Sequence, residues 1–524
     1  MTRWMALSAL LWVTLGCSAR NMAPPLAESA PAIAPEPSPE RDPEPKTHRT
    51  VAAPPPIRAN NPVLWVSLAS HLGGLESSPP LKLQSAGPEP LVLRDAAGAD
   101  WNGSSFQLHW RRVPLDQPLM LARQVAGPFA SFESAERAAQ RWRAFGVPAE
   151  VAHPKEWEVW APVGAPAPEA LKTYGWSRQL NATLEPVLET ADGPVVLKGP
   201  LKLQAADGLR WKGGVFQGPF RLQRDAYESW TLVEQVPVES YLKGVVPHEI
   251  GAGSPTNALQ AQTVLARTWA LANSHRFRID GYHLCSDTQC QVYGDPRQAG
   301  SAVRQAIAAT SGQLLSWERQ PISAVYHASN GGVMAAGPEA WSMDSEPYLK
   351  AEADGDEGWR RRHGLPLTAR DAVAALLADG EGAYGLNHPR FRWSRSLQAA
   401  ELRQALGEQG LALQAPLQLE VLERGTSGRV LSLKVSGAED AAPVVLRLDQ
   451  IRRTLRTLPS TLFVIDSMGS QEWIVRGGGF GHGAGLSQAG AIDLAGRGWS
   501  VERILGHYYP GAVYGPLPQS MESP

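Results

Sequence analysis

Eleven of the forty residues from Asn21 to Asn60 are proline. Proline lacks a backbone N–H and fixes φ, so such a stretch builds neither helix nor sheet. With few aromatic or β-branched residues it has too little apolar surface to offset the entropy of ordering. It reads as a disordered, extended tether over residues 18–61, and folding is left to the residues beyond it. The whole chain of 524 residues is 43% hydrophobic and 19% charged, enough for two or three domain cores rather than one. Lys plus Arg number 49 against 51 Asp plus Glu. That balance lacks the basic surplus a nucleic-acid binder uses against phosphates, so no nucleic acid is expected as a partner. The 18 Trp outnumber the 11 Tyr and the 10 Phe. Aromatic faces stack on sugars and on bases alike, which hints at a glycan ligand.

Ahead of the tether, Arg3 and the apolar run Trp4–Gly16 have the form of a short secretory signal over residues 1–17. The run falls short of the roughly 20 residues that span a bilayer, so an integral membrane protein is not expected. Thr14-Leu15-Gly16-Cys17 resembles a bacterial lipobox, with Thr14 and Leu15 standing where an aliphatic and a small residue are usual. Lipidation at Cys17 is the expectation, and with it an exported, lipid-anchored protein of the cell envelope. Ser18 after the cysteine leans toward the periplasmic face of the outer membrane where an envelope has two membranes. Cys285 and Cys290 then remain as a pair, close in sequence. In an oxidising compartment they read first as a disulfide.

Strand-like alternation begins at Val63-Leu64-Trp65-Val66, and short β segments punctuated by Pro and Gly fill residues 62–118 and 176–235. Between them, residues 119–175 hold a strand–helix–strand unit. Its helix is expected from Ser134 to Phe145, with Ala135, Ala138, Ala139, Trp142 and Phe145 on one side and Gly146 as a left-handed cap. The unit, with Gly127-Pro128-Phe129 near its start, resembles a SPOR repeat, a family that binds bare peptidoglycan glycan. A plain αβ insertion without a ligand is the alternative. Further on, Ser254 is placed as an N-cap and Pro255 as the first residue of a helix running to about His275. Leu417–Val421 and Leu431–Val435 alternate with period two around the turn Gly425-Thr426-Ser427-Gly428, which predicts a hairpin. A helix over Asp449–Arg456 and a strand over Leu462–Ile465 come next. Helices and strands are segregated, so the fold class is α+β.

Three clusters carry chemistry. Glu249, in Val245-Val246-Pro247-His248-Glu249-Ile250, sits among apolar neighbours. An apolar setting raises a carboxyl pKa and keeps a general acid protonated near neutral pH. A solvated loop glutamate is the plain alternative. His283, Cys285 and Cys290 could instead be three zinc ligands, although no second CxxC or HxxH accompanies them. The order of readings here is a disulfide, then zinc, then free thiols. Gly477-Gly478-Gly479-Phe480-Gly481-His482-Gly483-Ala484-Gly485 lets the backbone approach a partner closely. It has neither Gly-Lys-Ser/Thr nor GxGxxG spacing, so it is no phosphate loop. His482 could orient a catalytic group or a sugar hydroxyl, or be a structural histidine.

Together these clusters resemble the stage II sporulation protein D (SpoIID/LytB) family of peptidoglycan-acting proteins. The similar text includes Val236–Glu249, the helix Ala258–Ala270, Cys290-Gln291-Val292-Tyr293 and Ala328-Ser329-Asn330-Gly331-Gly332. Arg424–Val430, the Gly-Phe-Gly-His-Gly block and His507-Tyr508-Tyr509-Pro510-Gly511 come after them in the family's order. Ile250 stands where the family often has Met, and Trp269 where it has Tyr. The resemblance implies a core over residues 236–518 and a lytic transglycosylase that cuts glycan strands stripped of their peptides. It implies Glu249 as acid and then base, and Arg267, His327, Ser329 and His482 as substrate-positioning groups. No cofactor is required on this reading, and zinc enters only through His283, Cys285 and Cys290. Since the family includes enhancers of cell-wall amidases, a non-catalytic activator with an amidase partner is the rival reading. A pure glycan-binding protein is another.

Overall fold

The strand Val63–Leu72 buries Leu64, Val66 and Leu68 on one face, as its period-two pattern demands. It pairs antiparallel with Trp230–Pro237, from Val63 opposite Pro237 to Leu72 opposite Trp230. These two strands open a seven-stranded sheet that continues through Phe220–Arg224, Leu201–Ala205, Leu91–Arg94 and Asp100–Gly103. On its other edge Leu284–Cys285 adds a short parallel strand. The computed structural model describes residues 45–58, 62–169, 171–438, 441–467 and 471–517. The expected signal, Cys17 and most of the tether lie outside the described residues.

A second, eight-stranded sheet is organised by one long strand, Ser105–Phe129. It pairs with Thr173–Thr190 from Leu108 opposite Leu188 to Ala126 opposite Thr173. The segments 62–118 and 176–235 are therefore woven together, and the unit between them rides on the far end of this hairpin. Helix α1 (Phe132–Ala144) starts at the N-cap Ser131, whose hydroxyl accepts from Ser134 N at 3.3 Å. Ala135, Ala138, Ala139 and Trp142 are buried, and α1 packs on the strand Trp157–Pro162. Gly146 ends the helix at φ +74°. Phe145, expected on the packed face, is 71% exposed because it already occupies the C-cap.

The tether is corrected at its C-terminal end. Lys46 N donates to Met120 O at 3.1 Å, and Lys46 O accepts from Ala122 N at 2.9 Å. Arg49 makes a forked pair with Glu228 at 2.9 Å, and Ile57 is buried. Prolines that cannot join a ladder still leave neighbours free to do so, and residues 45–58 lie along the folded body.

Helices α2 (Val238–Val246) and α3 (Thr256–Ala272) follow the first sheet directly and pack against each other. Thirteen residues of α3 are buried, on all its sides, as expected of a helix surrounded by protein. Pro255 is its N-cap rather than its first residue, and Ser254 Oγ donates back to Ile250 O at 2.8 Å instead of capping. The helix ends at Ala272, short of His275. The C-terminal hairpin pairs Gln414–Arg424 with Val430–Ala438, with Leu419 opposite Val435. A helix at Asp449–Thr454 and a strand at Phe463–Ser467 follow as expected, the helix two residues shorter. Residues 351–414, which carry no legible motif, hold helices at Glu357–Arg362 and Arg370–Ala378 and the strand Arg392–Gln398. Several separate sheets with helices between them make the fold α+β. Among the described residues no helix is long and apolar enough to cross a membrane.

Candidate active site

Glu249 is not in a loop. It lies in a wide π-type turn, Pro247–Gly251, that continues α2. Pro247 cannot donate to the preceding turn, and a helix relieves that by widening; such turns recur at functional sites. Gly251, at φ +84°, lets the chain leave this turn toward α3. The Glu249 carboxyl lines a cleft of about 460 Å³ together with Trp269, Trp341, Phe480, His327 and His482. Burial pushes its pKa up to about 7, against smaller opposing effects from Val292 N, 3.2 Å away, and a hydrogen bond with Tyr326.

A relay of side chains stands behind it. Tyr241 OH donates to Gln291 Oε1 at 3.0 Å, and Gln291 Nε2 donates to the Tyr326 oxygen at 3.0 Å. That leaves the Tyr326 hydrogen for Glu249. Tyr326 and Trp341 were not singled out from the sequence, and the roles of Tyr241 and Gln291 were not read there. The only trace of these two was their place in the family-like segments Val236–Glu249 and Cys290–Tyr293.

The expected positioning groups divide two and two. His327 and His482 reach the cleft, with ring centroids 5.1 Å apart. His482 Nε2 donates to Tyr326 O at 2.8 Å, its Nδ1 accepts from Ala484 N at 3.2 Å, and burial pushes its pKa down to about 3. His327 Nδ1 donates to Ala484 O at 3.1 Å, and burial holds this ring neutral too. Among the described residues its buried Nε2 has no hydrogen-bond partner. The glycine block makes this geometry available: a Cβ at Gly481 would sit 2.7 Å from His327 Cβ.

Arg267 and Ser329 are corrected. Arg267 is 1% exposed and turned inward, its guanidinium bidentate to Glu239 at 2.7 and 2.8 Å and donating to Gln313 O at 2.9 Å. Ser329 is buried outside the cleft, exchanging backbone hydrogen bonds with Phe480 at 2.7 and 3.2 Å. Both shape the site without touching what would bind there.

The zinc reading is corrected as well. Cys285 and Cys290 are joined as a disulfide. His283 Nδ1 accepts from Trp65 N at 2.9 Å, and its Nε2 donates to Pro55 O at 3.1 Å. Sulfurs bonded to each other and an imidazole spent on backbone do not fit a zinc ion. Among the described residues no other group of three His, Cys, Asp or Glu could hold one. Replacing both cysteines by serine is expected to cost about 2 kcal/mol, since the loop they close is short. Urea unfolding checks this, and added chelator is expected to leave the wild-type midpoint unchanged.

The raised Glu249 pKa also predicts a pH-dependent stability. In an unfolded chain a glutamate ionises near about 4.3. The fold holds the proton more tightly, so the stabilisation is complete below that value and is lost as pH rises through about 7. Wild type should therefore lose about 3 kcal/mol relative to Glu249→Gln between roughly pH 4 and pH 8, as read from urea midpoints. A gap that does not change with pH would rule out burial as the cause.

The family described as Stage II sporulation protein matches residues 226–317, and a domain of unknown function (DUF8618) matches residues 335–485. Stage II sporulation protein D of Bacillus amyloliquefaciens is 30% identical over 302 residues, which cover 53% of this chain and 74% of that protein. Its Bacillus subtilis (strain 168) counterpart is 27% identical over 294 residues, 53% of this chain and 74% of that protein. The amidase enhancer of the same strain is 29% identical over 299 residues, 52% of this chain, and the match spans only 40% of its length. The chain belongs to the stage II sporulation protein D family.

Proposed function

We propose that this chain is a peptidoglycan lytic transglycosylase acting on glycan strands freed of their peptides, with Glu249 as its single acid and base. The observation that carries the reading is the place of Glu249 in an aromatic-lined cleft, where burial pushes its pKa up to about 7. Of the other carboxyls at the cleft, Glu133 is paired with Arg276, and Asp449 hydrogen-bonds Ser131 while its Oδ2 has no partner among the described residues. Hydrolysis by two carboxylates would have to use Asp449 as the second. A transglycosylase needs no second carboxylate. Protonated Glu249 donates to the glycosidic oxygen as the bond to the anomeric carbon breaks. The carboxylate then takes the proton of the muramic acid 6-hydroxyl, whose oxygen closes onto that carbon and forms a 1,6-anhydro end. Trp341, Trp269 and Phe480 line the cleft, with Arg276 over the Trp269 ring and Arg390 over the Phe480 ring, and the ring edges left to the cleft are where sugars would pack.

The test is the pH profile of kcat/KM on peptide-free strands. Rate should fall as pH rises through about 7, because only the protonated acid starts the reaction. A rate that is flat or rising through that range would remove Glu249 from the acid's role. A second reading has one observation in its favour, the relative named amidase enhancer. There the protein would act by stimulating a cell-wall amidase, and Glu249→Gln would leave that stimulation intact.

A further inference from the structure

The cleft carries more positive charge than its own acids neutralise. Of its three arginines, Arg276 is paired with Glu133. Arg452 spends Nε on Pro459 O at 3.2 Å, and Arg453 gives one nitrogen to Gln289 Oε1 at 3.0 Å. Among the described residues neither forms an ion pair, and both line the cleft with Glu249. Asp449, on the same short helix, attracts both Arg452 and Arg453 but among the described residues forms an ion pair with neither, so it offsets at most one of their two charges. Glu249 supplies no counter-charge while it holds its proton. Arg452 is partly buried, where an unmatched cation is costly. A guanidinium with its outer nitrogens unspent presents a planar fork suited to a carboxylate.

Muramic acid has such a group. In intact wall its lactyl carboxyl is tied up as the amide that holds the stem peptide, and only hydrolysis of that amide frees it as an anion. We propose that Arg452, with Arg453 beside it, binds the free lactyl carboxylate of a peptide-free muramic acid residue. The two arginines would then be the groups by which the cleft reads whether that amide has been hydrolysed. This inference rests on the transglycosylase reading for its substrate, and its test does not depend on turnover.

The test compares two probes: peptide-free glycan strands, and the same strands with their carboxylates converted to carboxamides. Binding is measured with the full chain carrying Glu249→Gln, so that no strand is consumed. The carboxylate strands should bind about 10- to 100-fold more tightly, the range of a charge-assisted pair. Adding Arg452→Gln should abolish that preference by weakening the carboxylate strands alone, and Arg452→Lys should restore part of it. Equal binding of both probes with Arg452 in place would overturn the proposal, as would a loss shared equally by both. Should Arg452→Gln fail to fold, the exposed Arg453→Gln carries the same prediction at several-fold. A preference without any cleavage by wild type would sink the transglycosylase reading and leave this one standing; cleavage without a preference would do the reverse.

Discussion

Glu249→Gln is expected to lower cleavage of peptide-free strands by about a thousandfold or more, within the range a positioned acid–base group contributes. The amide keeps the shape of the side chain and an oxygen for Val292 N, but it has no proton to give the leaving oxygen. Strand binding should survive, so the loss falls on kcat rather than on affinity. A loss below about tenfold would move the chemistry to another group, and Asp449, the other raised carboxyl at the cleft, would be the first to try.

Arg267→Ala should act on the fold instead. Breaking a buried pair by removing one partner typically costs about 3–5 kcal/mol. Glu239 is about a third exposed and can regain some water, so the lower end, about 3 kcal/mol, is the expectation. Gln313 O loses its donor in the same step, and α2, α3 and the strand after them come apart at that point. Urea unfolding measures the effect, and KM for glycan strands should stay unchanged for whatever fraction remains folded. A raised KM with an unchanged midpoint would return Arg267 to the substrate.

The contrast between Glu249 and Arg267 shows what the sequence makes legible. The burial of Glu249 has a local trace in its apolar neighbours and the proline two residues before it, while its proposed role came from the family resemblance. The hairpin at Gln414–Ala438 and the helix ending at Gly146 are local in the same sense, since turn chemistry and periodicity act over a few residues. Arg267 turns inward because Glu239, 28 residues away, and Gln313 O wait for it there. Nothing in a linear pattern ranks that partner above a ligand. The Tyr241–Gln291–Tyr326 relay joins three separate segments, and each member is unremarked alone. Residues 45–58 mislead for a related reason. Composition reports that such a segment cannot build its own core, but not that a finished surface can hold it. The His283 segment was open between metal and disulfide until Trp65 N and Pro55 O were seen to occupy the imidazole.

The decisive measurement is a digest of peptide-free glycan strands by the wild-type protein in water enriched in heavy oxygen, with the new ends read by mass spectrometry. Intramolecular attack by the 6-hydroxyl predicts muramic acid ends lighter by one water than reducing ends and free of heavy oxygen. Reducing ends that carry heavy oxygen would contradict it, because water would then have been the nucleophile.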